Sequence, residues 1–260
     1  MEKQQIALFW TGGLESTFRM IELSRFDVTI QPIYIKNHER KSLDMELEAM
    51  ETMKNLLIQR KETKANILPI QYYSRKDFEP IDEDIEQAFQ ELSSKYKVGK
   101  QNLWLAQICR KMPGIERSFE KSIHPAHGHG DNFLDDIFSC DLERVQEGYE
   151  DYYVLKPVPN NSPMNYLLFG YSRYPAYLAS LTKKEIYHKA IEWGYKDVIE
   201  KTWFCSFPFH GEACGYCGPC RSVVKEGLEE RLSPSARRRN KFHLFYRFRH
   251  KILEIFSPRA

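Results

Sequence analysis

Short apolar runs alternate along this chain with longer stretches in which apolar residues recur every third or fourth position. Five runs, Ile6–Trp10, Val28–Ile35, Asn66–Tyr72, Ser122–Ala126 and Tyr152–Pro157, read as strands. Between the first two, Ser16–Ser24 carries Phe18, Met20, Ile21 and Leu23 as the apolar stripe of a helix. Helical spacing also covers Leu43–Arg60, while acidic Asp82–Ser94, with Ile85, Phe89 and Leu92 on one side, predicts an exposed helix. Asn102–Cys109 is the most apolar helical segment, so burial is expected for it. Thr182-Lys183-Lys184-Glu185 has the form of a capping box, and the helix it opens should run to Trp193 and stop at Gly194. A cysteine-rich turn, a helix from Arg221 to Glu230 and a basic tail follow. This alternation predicts an α/β fold whose parallel sheet is covered by helices on both faces.

Composition narrows the class. With 260 residues, 42% hydrophobic and 28% charged, the chain can bury one large core or two modest ones, which excludes disorder, collagen and coiled coil. No run approaches a membrane span, and the opening MEKQQIALFW lacks the apolar centre of a signal peptide, so a cytoplasmic protein without a membrane partner is expected. Charge is unevenly placed. From Arg237 onward eight Lys/Arg face one acid, Glu254, whereas the preceding residues hold 30 basic and 35 acidic groups. The tail interleaves this charge with Phe242, Phe245, Tyr246, Phe248 and Phe256. It reads either as a solvated amphipathic helix packed on its own body or as a grip for phosphate backbones or an acidic protein face.

Two motifs carry chemistry. The first strand ends directly in Thr11-Gly12-Gly13-Leu14-Glu15-Ser16-Thr17, and a helix begins at once. Paired glycines let the backbone approach an anion, hydroxyls on Thr11, Ser16 and Thr17 add donors, and the helix start directs free amides to the same spot. The segment lacks the lysine of a Walker loop and the GxGxxG spacing of a dinucleotide fold. An ordinary glycine turn with Ser16 as a cap is the alternative. The second motif is Cys205, Cys214, Cys217 and Cys220, spaced C-x8-C-x2-C-x2-C. Four thiolates at this density suit tetrahedral zinc and leave no open position for water, so a structural metal is expected, with a redox CxxC as the alternative. Cys109 and Cys140 read as buried small hydrophobes.

Thr11-Gly-Gly-Leu-Glu-Ser16 resembles the SGGxDS PP-loop of ATP pyrophosphatases, with threonine for serine and glutamate for aspartate. Leu181-Thr-Lys-Lys-Glu-Ile186, Gly194, Thr202-Trp-Phe-Cys205 and Cys214-Gly-Tyr-Cys217-Gly-Pro-Cys220 are similar, in order and spacing, to the LTKxEI, TWSC and CGxCxxC series of the 7-cyano-7-deazaguanine synthase (QueC) family. The resemblance spans roughly residues 5 to 230; His38, Glu46 and Ala49 match a further family motif that here lacks its YGQ. It implies a Rossmann-like, adenine nucleotide alpha hydrolase-like fold with structural Zn2+. It also implies an enzyme using ATP and Mg2+ to adenylate the carboxylate of 7-carboxy-7-deazaguanine, which ammonia or an amine then captures. On this basis Ser16 and Lys183 are the expected catalytic residues, Trp10 to Thr17 the ATP site, and Asn102, His127, His129 and Asp131 the substrate contacts. The expected organisation is a nucleotide-binding domain over residues 1–200, a zinc segment over 201–232 and the basic tail over 233–260.

The chain also departs from that family. Gln101 replaces the arginine of an Arg-Asn pair, and a DYSGYPDCR-like stretch gives way to His127-Gly-His-Gly-Asp131 and Asp135 to Asp141. His124, His127 and His129 can ligate a metal or hydrogen-bond a polar ligand. With the added tail, these departures resemble the QueC-like proteins of bacterial antiphage operons, which implies coupling to a protein or nucleic-acid amine. A tRNA-modifying PP-loop enzyme and a non-catalytic zinc-stabilised module are the competing classes. A homodimer is the prior for assembly.

Overall fold

The computed structural model describes residues 4–95, 98–117, 142–147, 150–157, 163–179 and 181–256. Its strands are β1 (Gln5–Phe9), β2 (Thr29–Lys36), β3 (Asn66–Ile67), β4 (Gln71–Ser74), β5 (Ile115–Glu116), β6 (Leu142–Glu147), β7 (Glu150–Leu155) and β8 (Ser172–Pro175). They form one sheet in the order β3-β2-β1-β5-β8-β7-β6, with β4 also pairing with β2. Pairing is parallel from β3 and β4 through β8, and β7 and β6 close the far side antiparallel. The described helices are α1 (Leu14–Ser24), α2 (Leu43–Ile58), α3 (Glu83–Lys95), α4 (Gln101–Lys111), α5 (Pro163–Phe169), α6 (Lys183–Glu192), α7 (Lys196–Ile199), α8 (Gly218–Lys225), α9 (Pro234–Lys241) and α10 (His243–Phe256).

Side-chain alternation on the central strands divides the core into layers. Ile6, Leu8 and Trp10 of the first strand and its exit join Ile30 and Tyr34 of β2 in one cluster. Phe18, Met20 and Ile21 of α1, Met50 and Met53 of α2, and residues of α6, α7 and the cysteine segment complete it. Phe9 and Ile33, the intervening positions, pack on the opposite face against Phe78 and against Ile108 and Cys109 of α4. A further cluster joins α3, α4 and α5 to β7 and β8. Helices therefore cover both faces, as the sequence pattern predicts.

Several boundaries differ from the sequence expectation. Asn66–Tyr72 is divided into β3 and β4 around Pro69, whose carbonyl accepts a hydrogen bond from the Gln31 side chain at 2.9 Å. The helix expected over Arg221–Glu230 begins at Gly218 and ends at Lys225, before Gly227 at φ +69°. β5, β6, β8 and α5 are additional elements, and the expected strand Ser122–Ala126 lies outside the described residues.

β1 is flanked by β2 on one side and β5 on the other, so the chain reverses its winding direction there. In open parallel sheets the crevice at such a reversal, beyond the carboxyl ends of the strands, is where ligands bind. A buried ion pair holds β5 in this position. Arg19 of α1 donates Nε and Nη2 to the two carboxylate oxygens of Glu116, both at 2.7 Å, and also pairs with Glu22. Arg19 and Glu116 are buried. Removing one partner of such a pair strands a charge in the core. Glu116→Ala is thus expected to destabilise the protein by about 3–5 kcal/mol in denaturant melts, with Arg19→Met plus Glu116→Leu costing distinctly less.

Candidate functional site

The exit from β1 is a tight turn that favours glycine. Gly12 has φ +69°, and a Cβ there would lie 3.1 Å from Met50 Cγ of α2. Gly13, in extended backbone, is the N-cap of α1, and its carbonyl accepts the first helical bond, from Thr17 N–H at 3.0 Å. The amides of Leu14, Glu15 and Ser16 therefore open the helix, where no intrahelical acceptor exists for them. Ser16 Oγ accepts from Thr11 N–H and donates to the Gly13 carbonyl, both at 3.4 Å, which closes the turn on itself. Thr11 is exposed, whereas the side chains of Trp10 and Thr17 turn into the core. The Trp10 indole donates to Thr17 Oγ1 at 3.0 Å, and Thr17 also contacts Met53 Sδ. Of the three hydroxyls expected to serve as donors, that of Thr17 is thus committed to the core.

Charge gathers beside this turn. The capping box forms as expected, with Thr182 Oγ1 accepting from Glu185 N–H at 3.2 Å and Glu185 Oε2 from Thr182 N–H at 2.7 Å. It sets the first turn of α6 so that Lys183 points at the glycine turn and away from solvent. Lys183 Nζ stands 3.2 Å from Glu15 Oε1 and 3.5 Å from Glu226 Oε1. Burial opposes the ammonium, yet the two carboxylates hold its pKa above the ordinary lysine value. Burial likewise pushes the Glu15 carboxyl upward, against the pull of Lys183. Arg231 is a second cation nearby, its pKa lowered by burial while Tyr187, Glu15 and Glu226 counter the fall. It donates to the Thr202 carbonyl at 3.0 Å and lies over the Phe204 ring at 4.8 Å. Tyr177 OH fixes Glu15 by donating to its carbonyl at 2.7 Å. Glu226, Arg231 and Tyr177 belong to no local motif, and only the fold brings them here.

The cysteines converge. In a tetrahedron with metal–sulfur bonds of about 2.3 Å the sulfurs stand roughly 3.8 Å apart. The Sγ atoms of Cys214 and Cys220 are 3.8 Å apart and those of Cys217 and Cys205 3.9 Å, and all four lie buried within 4.8 Å of one another. Cys214 N–H donates to Cys205 Sγ at 3.1 Å and Cys217 N–H to Cys214 Sγ at 3.3 Å, an arrangement that stabilises thiolates. This donor set and spacing make a candidate metal site consistent with zinc. The turn needs Gly215, at φ +83°, because a Cβ there would meet the Ala236 carbonyl at 2.1 Å. Arg239 and Asn240 of α9 bind the Cys214 and Gly215 carbonyls, both at 2.7 Å, so the start of the basic tail packs directly on the cysteine turn.

One bond joins the two motifs: Trp203 N–H donates to the Gly12 carbonyl at 2.9 Å. Trp203 lies two residues before Cys205, and its indole donates to the Cys205 carbonyl at 2.8 Å. Two further residues complete the surroundings. Glu46 of α2, buried, accepts from Tyr34 OH at 2.7 Å and Ser42 Oγ at 2.6 Å. Asn102 of α4 accepts from Arg117, which follows β5. Because Leu8 and Glu116 are in register, the Asn102–Arg117 pair stands beside the carboxyl end of β1. His124, His127, His129, Asp131 and Cys140 lie outside the described residues.

Fold and site together define an α/β protein in which a buried four-cysteine cluster braces a glycine turn at the winding reversal of a mainly parallel sheet. No protein-family model matches the chain, and no curated protein matches it.

Metal removal should therefore be felt at the turn. Metal analysis of the purified protein is expected to give one zinc per chain, and Cys217→Ser to lose it. Chelation should lower the melting temperature and speed exchange of the Trp203 amide, read by hydrogen-exchange mass spectrometry.

Proposed function

We propose that the chain is a Rossmann-like PP-loop enzyme of the 7-cyano-7-deazaguanine synthase kind, which uses ATP to activate the carboxylate of a 7-deazaguanine for capture by a nitrogen nucleophile. The observation that carries this reading is Lys183 Nζ held 3.2 Å from Glu15 beside a glycine-lined helix start at the winding reversal. A carboxylate is a poor electrophile. In the proposed reaction one of its oxygens bonds to the α-phosphorus of ATP as the bond to pyrophosphate breaks, and an amine nitrogen then attacks the carboxyl carbon as AMP departs.

Each residue has a task in this scheme. The amides of Leu14 to Ser16 and the α1 dipole face the phosphates. Lys183, kept charged by its two carboxylates, offers positive charge where it accumulates on the departing pyrophosphate. Glu15 is the carboxylate available to Mg2+ once Lys183 turns to phosphate. In this scheme Asn102 and Arg117, hydrogen-bonded to each other at the neighbouring strand end, would contact the substrate. Zinc on the four cysteines is structural, since its coordination is filled by protein. Bound there, it would hold the Cys205 segment so that Trp203 stays on the Gly12 carbonyl.

Exchange of labelled pyrophosphate into ATP, dependent on 7-carboxy-7-deazaguanine, tests this scheme. Wild-type protein should support it, and Lys183→Ala or Ser16→Ala should lower it by about 10²–10³. A folded, zinc-loaded wild type without carboxylate-dependent exchange would overturn the proposal. Mass spectrometry of products formed with ammonium or with a protein amine identifies the acceptor.

A further inference from the structure

Among its described side chains, helix α10 is docked through Tyr246 and His250. Tyr246 stacks on Tyr216 of the cysteine turn at 6.0 Å between centroids, and His250 packs on Phe207 at 4.6 Å and on Tyr216 at 5.8 Å. At ~100° per residue the opposite side carries Leu244, Phe245, Phe248 and Ile252. These are 71%, 63%, 66% and 37% exposed, and Phe242 just before the helix is 62% exposed. Large apolar side chains gathered like this mark a contact surface. Arg247 and Arg249 fall on the two flanks of the ridge, and Arg237, Arg238 and Lys241 of α9 are exposed in the same terminal segment. No acid occurs between Pro234 and Leu253.

We infer that α10 is a docking helix for an anionic lipid surface, lying in the plane of the interface. The occupant must be apolar and anionic together. Nucleic acid would satisfy the arginines, and a single strand would stack bases on Phe245 and Phe248, but it would leave aliphatic Leu244 and Ile252 in water. A second copy would satisfy the ridge, but antiparallel or parallel pairing of two such helices sets arginine flanks against one another. An acidic groove on a protein matches a ridge at one register, whereas the cations here spread over both flanks of α10 and onto α9. That spread suits a surface with anions in every direction, where arginine stems run along the acyl boundary and their heads stay among the phosphates. No described helix is long and apolar enough to cross a membrane, so this is attachment to a surface and not insertion through it. The expectation of no membrane partner rested on the lack of a spanning segment, which leaves surface attachment open.

Flotation of the full-length, zinc-loaded chain with vesicles provides the test. Vesicles of phosphatidylcholine with about one-third phosphatidylglycerol should carry the protein upward, and pure phosphatidylcholine should not. High salt should weaken the interaction, and Phe248→Glu or Arg247→Glu with Arg249→Glu should each lower binding about tenfold or more. All these positions are exposed, and unchanged zinc content and melting temperature would verify the fold. Failure to bind the anionic vesicles, or equal binding by Phe248→Glu, would overturn the inference. So would light scattering that shows a dimer which Phe248→Glu converts to a monomer.

Discussion

The hydrogen bond from the Trp203 amide to the Gly12 carbonyl is the constraint on which the site depends. Gly12 holds a left-handed backbone conformation that strains any residue with a Cβ, and its carbonyl takes its hydrogen bond from outside the turn. The donor arrives from the segment leading into Cys205, a part of the chain with little regular structure. Such a segment can offer an amide at a fixed place only if something rigid anchors it. Four convergent sulfurs provide that anchor, and Arg239 and Asn240 brace it from the far side. The cysteine cluster is therefore coupled to a turn that it does not touch.

The same arrangement explains why charge can be concentrated there. Glu15 comes from α1, Lys183 from α6, and Glu226 and Arg231 from the segment just after α8, and each is largely removed from water. Pairing with Glu15 and Glu226 holds the Lys183 ammonium above its ordinary pKa against desolvation, whereas burial lowers that of Arg231. Lys183 is poised between two carboxylates that hold it loosely, at 3.2 and 3.5 Å, which leaves it free to change partner when a stronger anion enters.

What could be read from the residues and what could not divides along local and non-local lines. Thr182 to Glu185, Thr11 to Ser16 and the four cysteines announce themselves because their chemistry is set by near neighbours in the chain. β5 escapes such reading because it is two residues long and central, with the buried Glu116 where an apolar residue would be expected. Its polarity is tolerated only through Arg19, 97 positions earlier in the chain. β8 is similar, since buried Ser172 donates to the sulfur of Cys109 at 3.1 Å. Glu226 and Arg231 look like ordinary surface charges near a helix end until the fold turns them toward the glycine turn. The exposed ridge of α10 was legible as amphipathic, but which of its sides faces the body was decided by Tyr246 and His250.

The antiparallel pair at one side of the sheet has a consequence for solubility. A parallel sheet that ended at β8 would leave a row of unpaired backbone groups beside buried strands, open to addition of a foreign chain. β7 caps that row, and among the described strands β6 is the rim. β6 carries Glu143, Arg144 and Gln146 exposed, with Arg144 bidentate to Asp151 at 2.7 and 2.6 Å and Lys156 at 3.1 Å from Glu143. Such a fringe of paired ions would have to be stripped of water before another strand could dock, so the hairpin acts as a guard against edge-to-edge aggregation.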